Sequence, residues 1–315
     1  MIDILFIIVG AALVLWGADR MTEGASSIAH SLNISEIVIG LTVVAMGTSM
    51  PEFFVSLMSA IKGTSDMAVA NVVGSNIFNT LLIVGTAALV APMTISKGTV
   101  RRDIPFAVMA SMAMLVFFYD GEMSRWDAAL LFVGFIVFMI VTLSKKKTPE
   151  EETLKAPAEP VSLLGRLKPY FFVLLGLACL IGGSSVFVDG ATNIARSLGV
   201  SDAVIGLTIV AGGTSLPELA TSVVAATKGK SAIAIGNVIG SNVFNILMIL
   251  GITGVIMPMD IMGLTVVDYS VMLGSVVLLW LFSYTKYTVA RWEGAVMVAI
   301  FITYIAFTAS TALKP

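Results

Sequence analysis

The stretch Val38–Glu52, VIGLTVVAMGTSMPE, returns at Val204–Glu218 as VIGLTIVAGGTSLPE. Each copy carries one carboxylate, Glu52 or Glu218, inside an otherwise apolar run. A charge is costly in lipid, so an ionisable residue at membrane depth is first of all a functional candidate. Downstream of each copy stands a second matched stretch, NVVGSNIFN at Asn71–Asn79 and NVIGSNVFN at Asn237–Asn245. Both pairs are separated by the same 166 positions. Two copies of one polar constellation in an apolar chain point to a transporter.

The surrounding composition agrees. Hydrophobic residues make up 57% of the chain and charged ones 12%, with a mean hydropathy of +0.99. A soluble domain is about a quarter charged, so the chain reads as an integral membrane protein. Apolar runs fall at about 3–19, 37–61, 68–91, 103–119 and 126–144, then at 168–188, 203–227, 232–257, 267–284 and 292–312. Each suits a membrane-crossing helix, which needs about 20 residues. The first and sixth runs continue as amphipathic helix toward Leu32 and Leu198, with Glu23 and Asp189, near helix ends, read as interfacial or cap-pairing charges. Between the sets lies KKKTPEEETLKAPAEP, Lys145–Pro160, charged, proline-bearing and without an apolar face. Such a segment is a solvated linker. The expected division is a first five-helix unit over 1–144, a linker over 145–166 and a second unit over 167–315.

Other features carry less. The N-terminus lacks the basic n-region of a signal peptide and reads as an uncleaved first span. A net charge of -2 says nothing about partners, and the single Cys179 cannot form an internal disulfide. The single His30 is too little for a metal cluster, and the 18 methionines read as flexible packing.

The repeat extends beyond the two motifs. Gly24 matches Gly190, Leu32 matches Leu198, Pro92 matches Pro258, and Arg125-Trp126-Asp127 matches Arg291-Trp292-Glu293. An odd number of spans per copy makes the second copy enter the membrane from the opposite side, an inverted repeat. The expected fold is therefore an all-α integral membrane protein of ten transmembrane helices in two inverted five-helix repeats. Loop charge tests the topology independently: one side collects fourteen Lys and Arg residues and the other four. The rich side is cytoplasmic, which puts both termini outside and the linker in the cytoplasm.

The motif chemistry suits a hard cation. Pro51 has no N–H and crowds the preceding turn, so the helix bends beside Gly47 and backbone oxygens are freed. Thr48 and Ser49 share the helical face of Glu52, and Thr214 and Ser215 repeat the arrangement before Glu218. Ser75 and Asn79, four apart, face one way, as do Ser241 and Asn245. These are all-oxygen donors, suited to calcium, sodium or protons and unsuited to zinc or copper. A lone GTSxPE reads equally well as a packing kink; its duplication with duplicated Asn-Gly-Ser partners argues for a site.

At these residues the chain resembles the cation/calcium antiporter superfamily, most closely the sodium/calcium exchanger branch of prokaryotic type. GTSMPE with GSNIFN is similar to that family's first repeat motif, and GTSLPE with GSNVFN to the second. The resemblance spans both halves and implies an ion site between helices two, three, seven and eight. It implies Glu52 and Glu218 as central carboxylates. Thr48, Ser49, Thr214, Ser215, Ser75, Ser241, Asn79 and Asn245 would complete the sites, with main-chain oxygens of Ala45 and Ala211. Two departures stand out. Potassium-dependent relatives and some microbial exchangers carry Asp where this chain has Asn245, so the resemblance does not extend to potassium co-transport. A short linker stands where animal exchangers have a large calcium-sensing domain.

The reading is a secondary antiporter of the plasma membrane that exchanges sodium for calcium by alternating access, electrogenic and in the direction of calcium export. Ca²⁺ and Na⁺ are its transported ions and the bilayer its environment; no organic cofactor, nucleic acid or protein partner is called for. The alternative is a calcium/proton antiporter using the same two glutamates. An intramembrane hydrolase is the competing class, but the chain has no HExxH and no evident catalytic dyad. A channel is distinguished by uncoupled conductance.

Overall fold

The structure, a computed structural model, describes residues 2–144, 163–199, 209, 211–261 and 263–312. In a chain this apolar every backbone N–H and C=O must be satisfied within its own segment, which makes helix the default. The helices are α1 Ile2–Ser31, α2 Glu36–Thr48, α3 Met50–Ile61, α4 Ser65–Val90, α5 Ile104–Phe117 and α6 Arg125–Leu143. Then come α7 Leu163–Ser197, α8 Ala211–Thr214, α9 Leu216–Thr227, α10 Ser231–Ile256, α11 Val266–Tyr284 and α12 Arg291–Ala312. Reciprocal capping boxes begin α6 (Ser124 with Asp127) and α11 (Thr265 with Asp268). The turns that follow α3 and α9 each need a left-handed residue, supplied by the repeat mates Gly63 (φ 77°) and Gly229 (φ 72°).

Seven of the described helices are long and apolar enough to cross a membrane, or eight if the bent pair α2–α3 is one span. The protein is thus an all-helical membrane protein of seven to eight apolar spans among its described residues. Ten were expected, and the difference has two local causes. The helix that ends at Phe117 opens with a π-helical turn, Thr99–Asp103, that carries Arg101, Arg102 and Asp103, and only the 14 residues of α5 beyond it are free of charge. The second motif's helix is described continuously only from Ala211, since 200–208 and 210 lie outside the described residues. Residues 145–162, most of the expected linker, also lie outside them, and α7 begins at Leu163.

α4 and α10 form the centre: 72% and 78% of their apolar windows are buried, against 22% for α1 and 11% for α12. α1 and α7 lie antiparallel along a seam of glycines. A Cβ at Gly10, Gly17 or Gly24 would fall 2.6–2.7 Å from the backbone of Phe187, Gly176 and Pro169 in turn. One at Gly176 would meet Gly17 O at 2.7 Å, and one at Gly183 would meet Gly10 O at 3.0 Å. Small residues permit this approach where lipid offers no hydrophobic drive between helices.

Two short antiparallel ribbons, unforeseen in an all-α reading, tie the halves together. β1 (Met93–Thr94) pairs with β4 (Thr288–Val289), and β2 (Glu122–Met123) with β3 (Met259–Asp260). Met93 opposes Val289 and Met123 opposes Met259, so each contact has a mate displaced by the repeat interval.

Candidate cation site

The site begins where the motif helix breaks. α2 ends at Thr48 and is broken by Ser49, whose φ of -84° and ψ of 10° leave the helical range, and α3 starts again at a 48° angle. Pro51 sits in the first turn of α3, where no N–H is required of it. Ser215 breaks the second motif in the same way, with φ -90° and ψ 8°. Each break puts a glutamate, Glu52 or Glu218, in the first turn of a new helix, where the positive end of the helix dipole favours a carboxylate. Glu52 is 1% exposed and Glu218 0%.

The serines at the breaks reach across the molecule. Ser49 Oγ donates to Glu218 Oε1 at 2.8 Å, and Ser215 Oγ donates to Glu52 Oε1 at 2.9 Å. Thr48 Oγ1 donates to Asn237 Oδ1, also in the other half, at 3.1 Å. Ser75 Oγ lies 3.4 Å from Ser215 Oγ, and Ser241 Oγ donates to Ala45 O at 3.5 Å. The carbonyl of Ala45 thus faces the other half, and Ala211 opens α8. Asn79 and Asn245 are buried in α4 and α10 and hydrogen-bonded across the halves.

Four oxygens here have no partner. Glu52 Oε2, Glu218 Oε2, Asn79 Oδ1 and Asn245 Oδ1 are all buried and accept no hydrogen bond. Leaving a buried polar atom unpaired costs about 1–3 kcal/mol, more when it is charged. Two carboxylates and two amides each presenting a bare oxygen suit a hard cation that coordinates oxygen. The described residues contain no group of three or more His, Cys, Asp or Glu that could hold a resident metal. Any cation here would rely on two carboxylates supplemented by neutral oxygens.

The sequence reading put Ser75 and Asn79 on one α-helical face. A π-helical turn, Phe78–Ile83, begins between them, and its mate Phe244–Ile249 holds Asn245. Such turns widen the helix by one residue and recur at functional sites.

Four further asparagines, outside the candidate donors, support this centre. Asn71 Nδ2 donates to Glu52 O at 3.1 Å and to Ser56 Oγ at 2.9 Å. Its mate Asn237 does the same to Glu218 O and Ser222 Oγ, at 3.3 and 2.9 Å. Asn76 and Asn242 bond Asn245 and Asn79. All four lie inside the repeated NVxGSNxFN stretch, so the sequence carries the signal, but an amide that holds a neighbour reads like one that holds an ion.

Glu23 plays no part in this centre. Near the end of α1 it pairs with Arg20 at 3.1 Å and Lys228 at 3.0 Å, as an interfacial charge would.

Residues 2–144 and 168–309 match the family model described as sodium/calcium exchanger protein. The chain belongs to that family. Among its relatives is CaxA of Alkalimonas amylolytica, 43% identical over 257 residues that cover 81% of each chain. The sodium/calcium exchanger MaX1 of Methanosarcina acetivorans is 33% identical, covering 96% of this chain and 97% of its own. A solved structure of the sodium-calcium exchanger NCX_Mj, soaked with 2.5 mM Na⁺ and 0.1 mM Ca²⁺, superposes with a TM-score of 0.84 at 30% identity. That match covers 100% of this chain and 99% of NCX_Mj. This sodium/calcium exchanger family member is therefore a membrane ion exchanger in architecture as well as in sequence.

Proposed function

We propose that the chain is a secondary antiporter that exchanges sodium for calcium by alternating access, built as ten transmembrane helices in two inverted repeats. Glu52 and Glu218 together neutralise one Ca²⁺, and sodium ions compete for the same carboxylates and the oxygens around them. Thr48, Ser49, Thr214, Ser215, Ser75, Ser241, Asn79 and Asn245, with main-chain oxygens of Ala45 and Ala211, supply the neutral donors. The observation that carries this reading is the set of four buried, unpartnered oxygens, two of them on carboxylates.

Reciprocity supports the inverted repeat. Ser49 bonds Glu218 as Ser215 bonds Glu52, and Asn79 bonds Asn242 as Asn245 bonds Asn76. Each serine holds one carboxylate oxygen and leaves the other for the ion, so the site is oriented before the ion sheds its water. More than two sodium ions per calcium would move net charge, and each such charge gains about 2.3 kcal/mol per 100 mV. The physiological direction is then calcium export across the plasma membrane, with both termini outside and the linker in the cytoplasm.

The test is calcium flux in proteoliposomes under separately imposed sodium, proton and potassium gradients. Saturable calcium flux driven by sodium supports the proposal. Calcium flux that follows a pH gradient and ignores sodium identifies the calcium/proton antiporter, and uncoupled conductance a channel.

A further inference from the structure

We propose that Asn76 is a positioning residue that turns the Asn245 amide so that its oxygen, and never its N–H, faces the cation. The inference rests on the exchange reading above and assigns a role to a side chain outside the donor set given there.

Two hydrogen bonds in series make the lock. Asn76 Nδ2 donates to the main-chain oxygen of Asn242 at 3.3 Å. A carbonyl oxygen can only accept, so this contact decides which end of the Asn76 amide points there. The oxygen of Asn76 is left facing Asn245, whose Nδ2 donates to it at 3.0 Å. The Asn245 oxygen is then turned away from Asn76, and there it is buried without a partner. Both side chains are buried, Asn76 at 2% and Asn245 at 0% exposure, so no solvent competes for these bonds. An amide with both ends equally free would present N–H as readily as oxygen, and N–H repels a cation.

The other half lacks this lock. Asn79 Nδ2 donates to Asn242 Oδ1 at 3.2 Å, and Asn242 Nδ2 donates to Thr80 Oγ1 at 2.7 Å. That chain ends on a hydroxyl, which can donate as well as accept, so it leaves the direction of the amides open. The position matching Thr80 in the second half is Ile246. One amide oxygen is therefore pinned by a backbone carbonyl and the other is not.

A mutant cycle tests the lock: parent, N76L, N245D and N76L/N245D. Two readouts run in parallel, the calcium concentration at half-maximal sodium-driven flux and that at half-maximal rise in melting temperature. N76L should raise both about tenfold, the order expected when a hydrogen bond serving a charged group is lost. In the N245D background N76L should change them less than about twofold, because a carboxylate shows oxygen in either orientation. An equal effect in both backgrounds, the additivity expected of a mere packing residue, overturns the proposal. If N76L does not fold, N76S takes its place and is read by the same additivity. A parent that binds calcium but shows no sodium-driven flux counts against exchange, while the melting-temperature cycle still decides the role of Asn76.

Discussion

Around the two glutamates, what one half does to the other is returned. Ser49 reaches Glu218 and Ser215 reaches Glu52, and Asn71 and Asn237 each hold their own glutamate's carbonyl. Where α1 meets the turn between α9 and α10, nothing is returned. Lys228 bonds Glu23 at 3.0 Å and also pairs with Asp19. Its repeat mate is Lys62, and the mates of Asp19 and Glu23 are Ser185 and Asp189. Among the described residues Lys62 makes no ion pair. A site opened alternately to two sides, as proposed above, would offer the same carboxylates and serines to each, and these are the contacts the two halves share. A contact made at one end only can belong to one conformation and can differ between the copies.

The largest effects should come from breaking the common centre. E52Q and E218Q should each lower calcium flux by more than about a hundredfold while the protein stays folded. Dehydrating a divalent ion needs two formal charges opposite it, and Gln keeps the shape while removing one. Near-parent flux in either variant would show that the two glutamates do not share an ion. Melting temperature in detergent checks that the loss is not unfolding.

Next comes competition. With sodium and calcium sharing the same carboxylates, as proposed, the apparent calcium affinity of the parent should fall in step with rising sodium while maximal binding holds. Isothermal binding measurements at several sodium concentrations read this directly. Calcium affinity that ignores saturating sodium would separate the two ions into different sites.

A smaller, several-fold change is expected from N245D and N79D. Each adds a third carboxylate to the centre, and like charges in one site are relieved by taking up a proton. Flux in both variants should vary with pH more steeply than in the parent, and a dependence on potassium should be sought alongside. Matching pH profiles in parent and variants would move these amides away from the ions and into helix packing.

How far the sequence could be read follows the same division. The glutamates and their serine and threonine neighbours were legible because polar residues in an apolar run have few other uses, and the pattern occurs twice. The bend was legible in Pro51. The π-helical turns at Phe78–Ile83 and Phe244–Ile249 were not: α4 and α10 are buried nearly all round, so no apolar stripe marks where helical phase changes. The roles of Asn76 and Asn242 were hidden for another reason. Which end of an amide faces which neighbour depends on a partner in the other half, and spacing along the chain does not encode it. Lys228, with Asp19 and Glu23, was likewise visible only as loop and interfacial charge.

The smallest effect should come from that one-sided contact. The side chains of Lys228 and Asp19 are each 28% exposed and that of Glu23 40%, so water and salt screen the cluster. Ion pairs this exposed contribute about 0–1 kcal/mol, or at most about fivefold in an equilibrium. Burial works against the Lys228 charge, but the hydrogen bonds it donates to Asp19 and Glu23 outweigh this and hold the ammonium above the usual lysine value. A raised value means the contribution is complete at any pH below the ordinary lysine range and is lost only as pH climbs through the folded value. K228A should therefore change sodium-driven calcium flux by no more than about fivefold, by the same factor at pH 6 and pH 8, and less in high salt. K62A, which removes the unpaired mate, should leave flux within about twofold of the parent. Equal effects of K228A and K62A would mean that Lys62 finds a carboxylate in a second conformation, and that the two ends exchange this contact during the cycle.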